Sequence, residues 1–215
     1  MSFIFAPGDF IYYQKIKEHK DIKKKIFSKI KELSNNEEVL KNKSFKHCIF
    51  KTSIFKPELN SFLQEKDILD LLVWNPIDKL IEKYNENNIF KINLSESIII
   101  GAWFNIYEKT NFQEIHNHLD HPKIINNEIY QPSFSLIYIL EDKNEGNSTV
   151  FKFHRNDFMF NFGLSTADKI DTSRIKDISE GTVIIFPYTF EHFVTPVIKD
   201  RISIAYNIYS KLIPR

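Results

Sequence analysis

Apolar residues recur along this chain in two different rhythms. In "YYQKIKEHKDIKKKIFSKIKEL", Ile16, Ile22, Ile26, Phe27, Ile30 and Leu33 fall at three- and four-residue spacings with lysines between them. That is the pattern of a helix with one apolar stripe, and "SNNEE" after Leu33 predicts its end. The stretch "PELNSFLQEKDILDLLVWNPIDKLIEKYNENN" predicts further short helices, broken at Pro76 and ended by the asparagine-rich turn. Residues from about 10 to 95 read as mostly helical.

From about residue 97 the rhythm shortens. "SIIIGAWFNIYE", "NFQEIH", "PSFSLIYIL", "STVFKF", "GTVIIFP", "EHFVTPV" and "RISIAYNIY" are runs rich in β-branched and aromatic residues, separated by turns such as "EKTN", "EDKNEGN" and "VIKD". About seven short strands predict a sandwich or barrel. The stretch 154–174 interrupts this spacing. It is longer than a usual loop and is a candidate lid or a poorly ordered segment.

Strand alternation divides two of these runs into faces. In the last, Arg201, Ser203, Ala205 and Asn207 oppose Ile202, Ile204, Tyr206 and Ile208. In the first, Trp103, Asn105 and Tyr107 oppose Ile100, Ala102, Phe104 and Ile106. The apolar faces require cover, which the amphipathic N-terminal helices supply. The opposite faces then line an interior pocket. Buried polar groups need partners, so this pocket suits a polar ligand. The division expected is 1–95, a helical region, packed on 96–215, a β core, as one integrated domain.

Composition narrows the function classes. Lys and Arg number 29 against 28 acidic residues in 215, so no long-range field gathers nucleic acid or an anionic membrane. The lysine run of the first helix reads as a solvated face. A single cysteine, Cys48, excludes a disulfide framework and a cysteine zinc site. This usage, with no recognisable signal peptide or spanning segment, leads to the expectation of a cytoplasmic protein.

The chemistry concentrates in "HNHLDH", residues 116–121, where three of the seven histidines fall within six residues. His116, His118 and Asp120 share strand parity. His121 has the other parity and precedes Pro122, so it reads as a loop residue. About seventy residues on, "HFVTPVIKDRIS" carries His192, Arg201 and Ser203. A hairpin across "TPVIKD" would set His192 and Arg201 side by side. Two imidazoles and a third N or O ligand on one face suit a non-haem Fe(II) site. A buried arginine with a neighbouring hydroxyl suits a bidentate grip on a carboxylate.

The texts "WFNIYEKTNFQEIHNH", "FSLIYIL" and "GTVIIFPYTFEHFVTPVIKDRISIAYNI" resemble the Fe(II)/2-oxoglutarate-dependent oxygenases. The branch resembled is that of phage and marine bacterial oxygenases related to prolyl hydroxylases. The resemblance runs over about 97–215 and is most specific at Gly181, Phe186-Pro187, His192, Arg201-Ile202-Ser203 and Asn207. It implies a mostly β chain with N-terminal helices: a double-stranded β-helix (jelly-roll) core with helices packed on the outer face of one sheet.

The resemblance also implies a hydroxylase using Fe(II), O2 and 2-oxoglutarate, a small-molecule cosubstrate, with release of succinate and CO2. The substrate, a protein, peptide or small molecule, stays open, with peptidyl proline suggested by the branch. No residue beyond the metal site is assigned a catalytic role. His192 would be the distal iron ligand. Arg201 would bind the far carboxylate of 2-oxoglutarate with help from Ser203, and Tyr107, Asn105 and Asn207 would line the cosubstrate pocket. A second tyrosine often found in the family is replaced by Ile139, since Tyr138 points the other way. The remaining ligands come in two registers. His116 and His118 would give an all-histidine site, which is preferred; His118 and Asp120 would give the family's usual His-x-Asp.

Blander assignments stand beside these. His19, His47 and His154 are expected on the surface or in ordinary packing, and both tryptophans in the core. Arg201 could pair with Glu191 or Asp200, although both face elsewhere by parity or position. The rival functions are a cupin-like metal-binding jelly roll without oxygenase activity, and a phage structural protein whose site has decayed.

Overall fold

The computed structural model describes residues 2–6, 9–35, 40, 50–87, 92, 96–143, 149–152 and 169–211. The chain opens with two strands, β1 (Ser2–Ala6) and β2 (Asp9–Lys15), before the first helix, α1 (His19–Ser34). The expected helix from about residue 10 is thus corrected at its start. In β2, Phe10 and Tyr12 pack under the helices while Ile11 and Tyr13 pack between the sheets. A strand buried on both faces reads as a continuous apolar run, which periodicity cannot distinguish from a buried helix.

After α1 come β3 (Lys51–Thr52), a 3-10 segment (Pro57–Gln64), α2 (Lys66–Leu69), a π segment (Asp70–Trp74) and α3 (Asn75–Asn87). Pro76 does not break the helix as expected. The chain runs on through the π segment, where the Asn75 N–H reaches back to the Asp70 carbonyl. The widened turn lies immediately before the residue that cannot donate.

The remaining strands are β4 (Ser97–Tyr107), β5 (Gln113–His116), β6 (Lys123–Ile125), β7 (Glu128–Asp142), β8 (Thr149–Lys152), β9 (Lys169–Asp171), β10 (Thr182–Pro187), β11 (Glu191–Val194) and β12 (Arg201–Lys211). They form two antiparallel sheets. The larger runs β1-β2-β10-β7-β12-β4-β3 with β6 on β7, and the smaller runs β5-β11-β8-β9. This is the jelly roll, with helices against the outer face of the larger sheet. The expected lid at 154–174 lies outside the described residues except for its end, where β9 is followed by a 3-10 turn, Thr172–Arg174.

Two of the three apolar clusters among the described residues hold the layers. Ile22, Ile26 and Ile30 of α1 join Leu72, Val73, Ile77 and Leu80 against Phe104, Ile106, Ile202, Ile204, Tyr206 and Ile208 of the larger sheet. Between the sheets lie Ile137, Ile139, Ile184, Phe151, Phe186 and Phe190. The apolar face predicted for the first long strand needs one correction: Ile100 is 38% exposed, and Ile99 packs on the helix side instead. Asn207 pairs with Gly101 but Ile208 with Ile99. This bulge adds one residue to β4 and flips the alternation beyond it. Tyr138 faces the helices, bonded through its hydroxyl to His19 Nδ1 at 2.6 Å, while Ile139 faces the inter-sheet core. Among the described residues no helix is long and apolar enough to cross a membrane.

Gly181 fastens β10 to both neighbours. Its N–H bonds the Ile139 carbonyl and its carbonyl accepts from Ile16. Its φ is +83°, and a Cβ there would lie 2.8 Å from His19 Cγ. Gly181→Ala therefore combines a left-handed backbone penalty with a clash, and is expected to cost roughly 2 kcal/mol. Urea denaturation checks this, and an unchanged midpoint would contradict it.

Candidate metal centre

β5 and β11 pair so that His116 and His192 sit directly opposite one another. His118 lies just beyond the end of β5, its backbone N–H bonded to the Tyr188 carbonyl at 3.0 Å. The three rings converge, with centroids 4.2 Å apart for His116–His192, 5.0 Å for His118–His192 and 5.4 Å for His116–His118. One ring nitrogen from each lies within 4.8 Å of the others, a cluster able to hold a metal ion.

Hydrogen bonds fix which nitrogen of each ring is offered. A carbonyl can only accept, so a ring nitrogen bonded to one carries the proton. His116 Nδ1 donates to the Glu114 carbonyl at 2.9 Å, and His192 Nδ1 to the Phe190 carbonyl at 3.1 Å. His118 Nδ1 donates to Asn207 Oδ1 at 2.7 Å and lies 2.9 Å from Ser135 Oγ, which itself donates to Asn207 Oδ1. All three Nε2 atoms thus keep their lone pairs. Phe186 abuts His192 edge-on at 4.9 Å, and Trp103 stands 5.6 Å from His118.

Burial keeps the rings neutral. It pushes His116 below its ordinary value and His192 well below, with the neighbouring imidazoles adding to the effect on His192. His118 falls to about 4, first through burial, then through His116, with partial opposition from Asn207. Neutral imidazole is the form that binds metal.

Asp120 is not brought to this centre. β5 ends at His116, and residues 117–122 belong to no strand. Asp120 is exposed, accepts from Tyr209 Oη at 2.5 Å and from Lys123 Nζ at 3.2 Å, and binds the His121 N–H. His121 is exposed in the same loop.

Arg201 and His192 line one pocket, but not through the expected hairpin. β11 belongs to the smaller sheet and β12 to the larger, so the connection crosses between sheets and each sheet contributes one of the two residues to the pocket lining. Arg201 is 1% exposed. One terminal nitrogen donates to Thr149 Oγ1 at 2.7 Å, while Nε and the other terminal nitrogen have no partner among the described residues. The guanidinium lies over the Tyr107 ring at 5.7 Å. Neither carboxylate weighed as its partner is used, for Glu191 pairs with Lys152 and Asp200 with Lys143.

Ser203, Tyr107 and Asn105 line the same pocket, where Asn105 Oδ1 is buried without a partner among the described residues. Asn207 instead orients His118. Thr149, Gln113 and Ser135 were not singled out from the sequence. Ser135 could have been found by pairing, since it sits opposite Asn207 on β7. The other two carry no motif.

Two outcomes follow from this geometry. Asn207→Leu removes the acceptor that orients His118 and should weaken Ni(II) binding about tenfold or more in a metal titration; unchanged affinity would contradict the arrangement. The folded pKa values lie below the unfolded 6.5, so between about 4 and 6.5 the unfolded chain binds more protons. Stability of the metal-free protein is therefore complete above about 6.5 and lost as pH falls toward 4. Urea midpoints at pH 7.5 and 5 measure this, and His192→Ala should flatten the difference.

Comparison with known proteins places this architecture. No family model and no curated protein sequence matches the chain. Solved structures do. A prolyl-4-hydroxylase from Pseudomonas putida superposes with a TM-score of 0.55 at 13% identity, over 95% of this chain and 93% of that one. HygX from Streptomyces hygroscopicus, solved with nickel and 2-oxoglutarate bound, gives 0.55 at 12% identity, over 93% and 82%. The non-haem α-ketoglutarate-dependent epimerase SnoN of nogalamycin biosynthesis gives 0.59 at 10% identity, over 93% and 76%. The chain has the fold of the 2-oxoglutarate-dependent oxygenases.

Proposed function

We propose that this protein is an Fe(II)- and 2-oxoglutarate-dependent oxygenase with an all-histidine metal site. The observation that carries the reading is one pocket holding both three converging imidazoles and a buried guanidinium with two nitrogens that have no partner among the described residues. A structural metal site has no need of the arginine, and a core arginine has no need of the imidazoles.

His116, His118 and His192 would hold the iron through Nε2. Arg201, braced by Thr149, would grip the far carboxylate of 2-oxoglutarate, with Ser203, Asn105 and Tyr107 on the same walls. Iron bound there supplies the activation of O2 that is coupled to oxidative decarboxylation of 2-oxoglutarate to succinate and CO2. The chain's own part is positioning. Arg201 fixes one end of the cosubstrate by a charge-assisted pair, and the strands around it exclude water. Three neutral ligands leave the metal its full charge, which with the guanidinium suits a dianion.

The reaction expected is hydroxylation. By analogy with the Pseudomonas putida enzyme, a peptidyl proline is the first substrate to assay, and that choice rests on analogy alone.

Anaerobic addition of Fe(II) and 2-oxoglutarate to metal-free protein should give a visible charge-transfer band, absent in Arg201→Ala. Admission of air should then form succinate. Metal binding with neither band nor succinate would favour a metal-binding jelly roll without oxygenase activity. For the ligand register, His116→Ala should lose iron affinity strongly while Asp120→Ala keeps it; the reverse would restore the His-x-Asp site.

A further inference from the structure

Gln113 occupies a position that the metal and cosubstrate assignments leave unexplained. It is buried, lines the pocket and has both ends of its amide engaged. Tyr107 Oη donates to Gln113 Oε1 at 2.6 Å, and Gln113 Nε2 lies 3.2 Å from His116 Nε2. His116 carries its proton on Nδ1, held by the Glu114 carbonyl, so its Nε2 is the acceptor and the amide is the donor. The atom that Gln113 bonds is the one that a metal would take.

The amide cannot simply turn round. Its oxygen is held by Tyr107, whose ring stacks on Phe50 at 5.1 Å and lies beneath Arg201. When metal takes the His116 lone pair, a buried amide N–H loses its acceptor, which is costly unless a new one arrives. A 2-oxo acid anchored at Arg201 and reaching toward the three imidazoles brings carboxylate oxygens to that N–H.

We propose that Gln113 is a cosubstrate-binding residue: its Nε2, aimed by Tyr107, donates to the metal-side carboxylate of the 2-oxo acid, at the opposite end from Arg201. This rests on the oxygenase reading above. Gln113 then has two exclusive partners, His116 in the metal-free protein and the 2-oxo acid in the loaded one. It opposes metal binding alone and favours metal with cosubstrate, coupling the two events.

Calorimetry with Ni(II), and then with 2-oxoglutarate on the nickel-loaded protein, tests the idea without turnover. Gln113→Leu should bind Ni(II) as tightly as wild type or more tightly, and should weaken 2-oxoglutarate about tenfold to a hundredfold, the loss expected for a hydrogen bond to a charged group. Gln113→Glu, which sets an anion against the carboxylate, should weaken 2-oxoglutarate further while tightening nickel. Tyr107→Phe should weaken 2-oxoglutarate by a smaller factor. Gln113→Met, unbranched and close in length, replaces the leucine variant if that one fails to fold.

Undiminished 2-oxoglutarate binding by Gln113→Leu or Gln113→Met, beside a wild type that binds it, overturns this inference and leaves the oxygenase reading intact. Loss of nickel in step with loss of 2-oxoglutarate also overturns it, reducing Gln113 to a support for His116. A nickel-loaded wild type that binds no 2-oxoglutarate overturns both.

Discussion

Burying the guanidinium of Arg201 inside a β-sandwich is the constraint around which the rest of the structure is arranged. Taking such a charge out of water costs several kcal/mol unless it is well partnered, and here one nitrogen reaches Thr149 while two others have no partner among the described residues. Burial accordingly pulls the Arg201 pKa downward, opposed by the nearby Tyr107 and Asp142. The arginine can face inward only because β12 alternates. Its other face, Ile202, Ile204, Tyr206 and Ile208, is sealed by the helices. Without that cover the sheet would have no reason to turn its polar face toward the smaller sheet, where the histidines lie.

The two sheets divide the work. The smaller contributes His116 and His192 as a cross-strand pair, so their separation is set by strand spacing and not by a loop. The larger contributes Arg201, Ser203 and Asn207 at alternate positions of one strand. His118 belongs to neither sheet, and it is held by Tyr188 through the backbone and by Asn207 and Ser135 through the ring. In this way a loop residue acquires the fixed orientation that the other two receive from the ladder. An aspartate at its place would need no such support for a particular tautomer. The Asn207–Ser135 pair is the structural counterpart of having an imidazole there.

Much of this was legible in the sequence, for identifiable reasons. The faces of β12 followed from its period of two, and the apolar stripe of α1 from its period of 3.6, because both elements are amphipathic and unbroken. The inward side of β4 was equally clear up to Gly101, where a bulge shifts the register and exchanges Ile99 for Ile100. A bulge has no compositional mark in "SIIIGAW". The N-terminal strand β2 carries no strand signal because, buried on both faces, it loses its alternation. The paired asparagines of "IINNEIY" gave an unused signal for the β6–β7 hairpin, as Asn126 and Asn127 both have positive φ. At the site, residue type and spacing single out His116, His118, His192 and Arg201, which line one pocket. Asp120 is held away from the imidazoles by Tyr209, 89 residues on in the chain, and by Lys123 at the surface, and neither contact has a mark in the motif. Gln113 and Thr149 act through position alone, which no local pattern encodes.

The central claim is that three imidazoles and one arginine form a single site for a metal and a 2-oxo acid. Its most direct test is anomalous diffraction from crystals grown with Ni(II) and 2-oxoglutarate. The account predicts one nickel bonded to Nε2 of His116, His118 and His192, with the far carboxylate of 2-oxoglutarate on Arg201. Nickel bonded to Asp120, or nickel at the histidines with Arg201 bound to something other than the cosubstrate, would contradict it.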